Sequence, residues 1–139
     1  MLFLDTTVLV GAADARDENH EDGKAILQAI ATGKPGMAWT SDSVLDETLT
    51  ILAGKRGIGA DKAVAFVHRV MSSPRVKVLS ADRDDFRAAL ERFPDLADRG
   101  LSFTDTMSTI LMDGQNCSII CSHDKGFDKL HGIERRQTL

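Results

Sequence analysis

Short apolar runs alternate with helix-like repeats along this chain, and that alternation most narrows what it can fold into. Met1-Leu2-Phe3-Leu4, Met37-Ala38-Trp39-Thr40, Val76-Lys77-Val78-Leu79 and Ser118-Ile119-Ile120-Cys121 have the length and residue types of buried strands. Between them, apolar positions recur at three- and four-residue spacing: Ile26, Leu27, Ile30 and Ala31; then Val44, Leu45, Thr48, Leu49 and Leu52; then Ala63, Phe66, Val67, Val70 and Met71. That spacing gives a helix one apolar face. Gly33-Lys34-Pro35-Gly36 ends the first of these helices, and Ser41, Asp42 and Ser43 offer N-caps for the second. Gly54, Gly57 and Gly59 break the chain before the third, and Pro74 follows it. Asp82 to Phe93 predicts a helix stopped at Pro94, and Phe103 to Met112 predicts another. Gly114-Gln115-Asn116 then turns into the last clear strand, and a helical turn and an edge strand near Ile133-Glu134 close the chain. The predicted fold class is α/β, with three α/β/α layers around a central, mainly parallel sheet.

A length of 139 residues suits a single domain covering 1–139. With 42% hydrophobic and 27% charged residues, the chain has enough apolar surface to fold, which excludes a disordered segment. A net charge of −4 excludes a histone-like binder but not a nucleic-acid enzyme, whose cations can be local. Tyr is absent, so a platform that stacks bases on aromatic rings is poorly supported. No apolar run approaches the roughly 18 residues that a membrane span needs. Cys117 and Cys121 lack a CxxC or zinc pattern and read as small core residues. With no disulfide framework and no leader, a cytoplasmic location is expected.

In an open parallel sheet, sites form beyond the carboxyl ends of the strands. Asp5 follows the first strand and Asp124 the last clear one. Two further acids fall on apolar helix faces. Glu47 lies three residues after Val44 and four before Ile51; Asp105 lies four after Leu101 and shares its stripe with Ser108. No Lys or Arg stands near either in sequence, and a charged carboxylate on a buried face is costly unless paired or holding a metal. Each acid alone has a plainer explanation: Asp5 and Asp105 as helix caps, Asp124 as a turn residue, Glu47 as a boundary residue reaching solvent. Asp46 points about 100° away from Glu47 around the helix, towards solvent. If the four converge, their repulsion would raise pKa values, and a hard divalent cation would relieve it. Rival chemistries lack their parts. None of the four His has a partner at metal-ligand spacing, and strand alternation would turn His123 away from Asp124. No GxSxG elbow or P-loop occurs, and Thr7 stands where an aspartate-nucleophile phosphatase would need a second Asp.

At these residues the chain resembles the PIN domains, in particular the small VapC-type ribonuclease toxins of toxin–antitoxin pairs. Four signatures fall in order over residues 1 to about 130: Leu2-Phe3-Leu4-Asp5-Thr6; Glu47 within Val44-Leu45-Asp46-Glu47-Thr48; Ser102-Phe103-Thr104-Asp105; and Ser122-His123-Asp124 with Phe127 beyond it. The resemblance implies metal-dependent hydrolysis of RNA phosphodiester bonds with Mg²⁺ or Mn²⁺. Asp5, Asp105 and Asp124 would be ligands, and Glu47 would bind through water, hold a second ion or orient the attacking water. Thr6 and Ser122 would steady the carboxylates. Asp128 lies four residues beyond Asp124 and could assist or replace it. Lys55-Arg56 after the Glu47 helix, Lys125 and Lys129 beyond Asp124, and Arg135-Arg136 in the tail are the candidates to hold RNA phosphates, with solvated surface charge as the alternative. The resemblance further implies an antitoxin partner and a homodimer, for which the Ala63–Met71 stripe is a candidate surface if the core does not use it. A PIN-like scaffold that binds RNA or protein without cutting, and an RNA-processing nuclease outside any toxin pair, stay open.

Overall fold

The computed structural model describes residues 1–139. Five strands, β1 (Leu2–Leu4), β2 (Ala38–Ser41), β3 (Val76–Leu79), β4 (Ile119–Cys121) and β5 (Glu134–Arg136), alternate with six α-helices. These are α1 (Thr6–Ala13), α2 (His20–Thr32), α3 (Asp42–Thr50), α4 (Ala60–Met71), α5 (Arg83–Asp98) and α6 (Phe103–Gly114). The strands form one sheet in the order β3-β2-β1-β4-β5, with every pairing parallel. All three residues of β1 are buried. A strand covered on both faces needs no polar alternation, which is why Leu2-Phe3-Leu4 is uniformly apolar. The helices supply that cover in layers above and below the sheet, as the alternation predicts. The edge strands β3 and β5 carry Lys77, Glu134, Arg135 and Arg136, which discourage pairing with another chain.

The chain steps outward from β1 to β2 and β3, then returns to β4 on the other side of β1. The topological switch therefore falls between β1 and β4, where a crevice opens beyond the strand ends. Asp5 follows one of these strands and Ser122 the other. The backbone N–H of Asp5 donates to the carbonyl of Cys121 at 3.1 Å, so the two ends are fastened together.

Local chemistry sets the helix boundaries. Asp5 caps α1, Ser41 caps α3, and Ser102 with Asp105 forms a reciprocal capping box at the start of α6. Gly23 lets α2 lie against α1: a Cβ there would stand 2.7 Å from the backbone nitrogen of Ala12. The glycine-rich break begins later than its first glycine, because α3 continues through Gly54 as a π-helical turn, Ile51–Lys55.

Two expectations are corrected. Helix α5 does not stop at Pro94 but runs on to Asp98. Pro94 is exposed, and the hydrogen bond it forfeits is outweighed by the burial of Leu96, which that extra turn carries into the core. The stripe on α4 is no spare surface: Ala63, Phe66, Val67 and Val70 are all buried, and only Met71 remains half-exposed.

Candidate active site

Asp5 sits at the end of β1 with 1% of its surface exposed. Its Oδ2 accepts hydrogen bonds from the hydroxyls of Thr7 and Ser122, both at 2.7 Å, and a longer one from the Thr7 backbone N–H at 3.3 Å. Its Oδ1 is buried and has no hydrogen-bond partner. A buried carboxylate oxygen left alone is costly and calls for a proton or a cation. Burial drives the Asp5 pKa above its ordinary value, against the opposing pull of the bonds from Ser122 and Thr7.

Asp105 is 7% exposed. One of its oxygens, Oδ2, accepts from the Ser102 backbone N–H at 2.8 Å, while Ser102 Oγ accepts from the Asp105 N–H at 3.1 Å. The capping role and the site role are therefore compatible, since only Oδ2 is engaged. Burial pushes its pKa up to about 7, assisted by the negative charges of Asp5 and then Asp124, and opposed by the Ser102 bonds. Three of the four acids thus lie within electrostatic reach of one another.

Hydroxyls stitch the acids together. Ser122 Oγ donates to Asp5 Oδ2 and accepts the Asp124 backbone N–H at 2.9 Å, so one side chain spans two acids. Asp124 caps a 3-10 turn, Lys125–Lys129, with Oδ1 accepting from Gly126 N–H at 2.7 Å. A side chain at Gly126 would collide with this arrangement, its Cβ lying 3.0 Å from Asp124 Oδ1 and 2.7 Å from Leu101 Cδ2. Thr6 Oγ1 donates to Glu47 Oε2 at 2.6 Å, which draws the α3 acid to the residue beside Asp5. Asp46, next to Glu47, is exposed. None of the chain's ion pairs involves Asp5, Glu47, Asp105 or Asp124.

No group of three or more acid, His or Cys side chains is placed to hold a metal ion in the arrangement seen here. The donor set nonetheless fits a hard divalent cation. It is all oxygen, one buried oxygen lacks a partner, and the charges repel one another. Mg²⁺ in particular is held by one or two carboxylates with retained waters rather than by a full protein cage.

Other expected residues fall differently. Both oxygens of Asp128 accept from Arg135, each at 2.8 Å, which lowers its pKa. Arg135 also lies within electrostatic reach of Asp124. Arg56 pairs with Asp17 at 2.6 Å and with Asp14 at 3.4 Å. Lys55 and Lys125 are exposed and in no ion pair. Lys55, Arg56, Thr6 and Asp124 line one cleft of about 400 Å³. His123 lines it too, contrary to the expectation that it faces away. β4 has already ended at Cys121, so strand alternation no longer governs residue 123. A second cleft, about 480 Å³, is lined by Asp46 and Thr104, the sequence neighbours of Glu47 and Asp105, and by Phe86 and Phe103.

Thr7 escaped the sequence reading, and Arg135 entered it only as a tail cation for phosphates, not in the role it takes here. Thr7 holds Asp5 and also accepts the His123 backbone N–H at 2.9 Å. Its signal was local, since a Thr two residues after an Asp is placed to meet that carboxylate. Arg135 donates to the Ser122 carbonyl at 3.1 Å as well as to Asp128. Nothing local marks it, because its role depends on β5 pairing with β4.

The model of one protein family, described as PIN domain, matches residues 2–133. The chain belongs to the PIN-domain family. Its relatives include a VapC ribonuclease of Archaeoglobus fulgidus, 31% identical over 126 residues that make up 90% of this chain and 78% of that protein. The 23S rRNA-specific endonuclease VapC20 of Mycobacterium tuberculosis is 29% identical over 136 residues, 98% of each chain. The crystal structure of that VapC20, a Sarcin-Ricin loop cleaving toxin, superposes with a TM-score of 0.77 at 27% identity, covering 90% of this chain and 91% of the other. VapBC2 from Rickettsia felis, solved bound to a promoter DNA fragment, gives a TM-score of 0.69 at 15% identity over 98% of both chains, and shows the shared fold alone. In this PIN domain, then, the sheet order and the acid rim at its switch point come together in one family fold.

Proposed function

We propose that this PIN domain is a metal-dependent endoribonuclease, hydrolysing RNA phosphodiester bonds as the toxin of a toxin–antitoxin pair. One observation carries the reading: a buried carboxylate set with no cation of its own, in which Asp5 Oδ1 has no partner and Asp105 is pushed up to about 7. A scaffold with no reaction to perform has no use for such a set. The likeness to a VapC ribonuclease and to the endonuclease VapC20 supports it.

Asp5, Asp105, Asp124 and Glu47 would hold Mg²⁺ or Mn²⁺. A cation held there would supply charge to polarise the scissile phosphate, to lower the pKa of a water and to steady the leaving oxygen. The chain's own groups prepare the reaction. Thr7 and Ser122 take up Asp5 Oδ2 and leave Oδ1 as the free donor. Thr6 fixes Glu47 through Oε2, so Oε1 is the atom available to accept a proton from the attacking water. Ser102 sets the rotamer of Asp105 by holding its Oδ2. Lys55 and Arg56 at the cleft wall, and Lys125 next to Asp124 in the chain, would supply positive charge for phosphates. Attack by water would leave a 5′-phosphate and a 3′-hydroxyl.

The proposed partners are the RNA substrate, a cognate antitoxin protein and a second copy of the chain; the proposed domain spans 1–139. No helix is long and apolar enough to cross a membrane, and the cytoplasm is the proposed compartment. Purified protein incubated with structured RNA and Mg²⁺ or Mn²⁺, beside Asp5→Asn and Asp105→Asn, tests the reading. Cleavage by the wild type alone is expected. Equal cleavage by all three would refute the site, and RNA binding without cleavage would favour a scaffold.

A further inference from the structure

Asn19 occupies the N-cap of α2, where an asparagine side chain ordinarily accepts a bond from an N–H of the first helical turn. Here it makes no such bond. It lines the cleft beside the acids instead, together with Thr7, Lys55 and Asp124. The backbone that presents it is well braced. Asn19 N–H donates to Asp17 Oδ1 at 2.8 Å, and Asp17 in turn receives Arg56 at 2.6 Å. Its carbonyl accepts from Gly23 N–H at 2.9 Å, and Gly11 lies so close that a Cβ there would stand 3.3 Å from that oxygen. An amide that forgoes its capping bond on a fixed backbone is a donor and acceptor pair ready for a ligand.

The cleft suits one particular ligand. Val10, only 4% exposed, and Ile51 are its only apolar lining residues, and the acids Asp17 and Glu18 share the wall with Lys55. Lys55 is exposed and in no ion pair, unlike Arg56 beside it, which is held by Asp14 and Asp17. A volume of about 400 Å³ has room for a nucleotide but not for a duplex.

We infer that this cleft is a nucleotide subsite, in which the Asn19 amide reads the edge of one unpaired base next to the bond that is cut while Lys55 holds the adjoining phosphate. The inference rests on the nuclease reading and adds to it where sequence preference comes from. On the pairing edge A and C run donor then acceptor, and G and U run acceptor then donor, so a side-chain amide presented in one orientation meets one of the two orders with two bonds.

The test uses the full chain with Mn²⁺ and a single-stranded RNA pool containing a randomised segment, the cut ends being sequenced. Wild type should favour one base at a fixed position beside the cut. Asn19→Ala should reduce that preference about tenfold. Asn19→Asp, which keeps the size but loses the amide donor, should change which base is favoured. Lys55→Ala should weaken binding and flatten its salt dependence while leaving the preferred base unaltered. Because the Asn19 amide supports no capping bond, Asn19→Ala should melt close to wild type. Cleavage by wild type with no flanking preference, or a preference unchanged in both Asn19 variants, overturns the subsite and leaves the nuclease standing. Absence of cleavage by wild type overturns both.

Discussion

Two aspartates of this protein, each almost without exposed surface, are treated in opposite ways. Asp14 is 3% exposed, but what covers it is a pair of guanidinium groups. Arg16 meets it at 2.9 Å and Arg56 at 3.4 Å, and these partners hold its carboxyl down at about 2. Asp5 lies deeper, at the end of a strand buried on both faces, with hydroxyls on one oxygen and nothing on the other. Its pKa is raised, and that of Asp105 nearby reaches about 7. The chain can plainly neutralise a covered acid, and at Asp14 it does. At the β1/β4 switch point it pairs none of the acids with a cation, and although Arg135 is within electrostatic reach of Asp124, Asp5 and Asp105 are left for a stabilising charge from outside the chain.

That contrast can be broken most sharply by removing the acids. Asp5→Asn or Asp105→Asn should cut RNA cleavage by more than about a hundredfold, beyond the 10–100-fold typical of groups that only support a metal ligand. Metal-free melting temperature should hold or rise, because an uncompensated buried charge is gone. A collapse of stability would place these acids in the same structural class as Asp14. A smaller effect sharpens the picture: Thr7→Val keeps the shape but removes the hydroxyl on Asp5 Oδ2, and should weaken divalent-metal affinity about 10–100-fold. Thr7→Ser should restore it, as followed by calorimetric titration.

On the other side of the comparison, Arg56→Ala strips Asp17 of its partner and Asp14 of one of two. Urea unfolding should show a loss of about 1–3 kcal/mol. The contrast also shows in pH dependence. Asp105 titrates near 7 in the fold against 3.8 when free. Between those values the folded protein binds more protons than the unfolded chain, so metal-free stability should fall as pH rises from about 4 to about 7 and level off above. Asp14, lowered to about 2, gives the opposite slope: its contribution is present above about 4 and is lost as pH falls towards 2. Melting curves across both windows read the two slopes separately.

The acids were legible in the sequence because their chemistry conflicts with their surroundings. Asp5 ends an apolar run, Asp124 follows the end of another, and Glu47 and Asp105 sit on apolar helix stripes; acids so placed are what a functional site leaves behind. The strand and helix alternation gave the sheet for the same kind of reason, since a buried parallel strand such as Leu2-Phe3-Leu4 needs no polar face. What stayed hidden depends on tertiary placement. Pro94 looks like a stop until the burial of Leu96 is known. Asp124 is favoured over Asp128 in the sequence by its nearness to the strand end, but only β5 reveals that Asp128 is paired with Arg135. His123 obeys strand alternation only if the strand reaches it, and β4 ends two residues earlier. Arg56 reads as a free surface cation until α1 and the following loop deliver Asp14 and Asp17.

The account stands on a divalent cation joining carboxylates that the chain itself leaves unbalanced. Titration of metal-free protein with Mn²⁺, read by calorimetry and by melting temperature on the same samples, addresses this without any RNA. Saturable binding that raises the melting temperature of wild type and disappears in Asp5→Asn is the predicted result. Heat and melting curves that ignore Mn²⁺, or that respond identically in the two proteins, would contradict it.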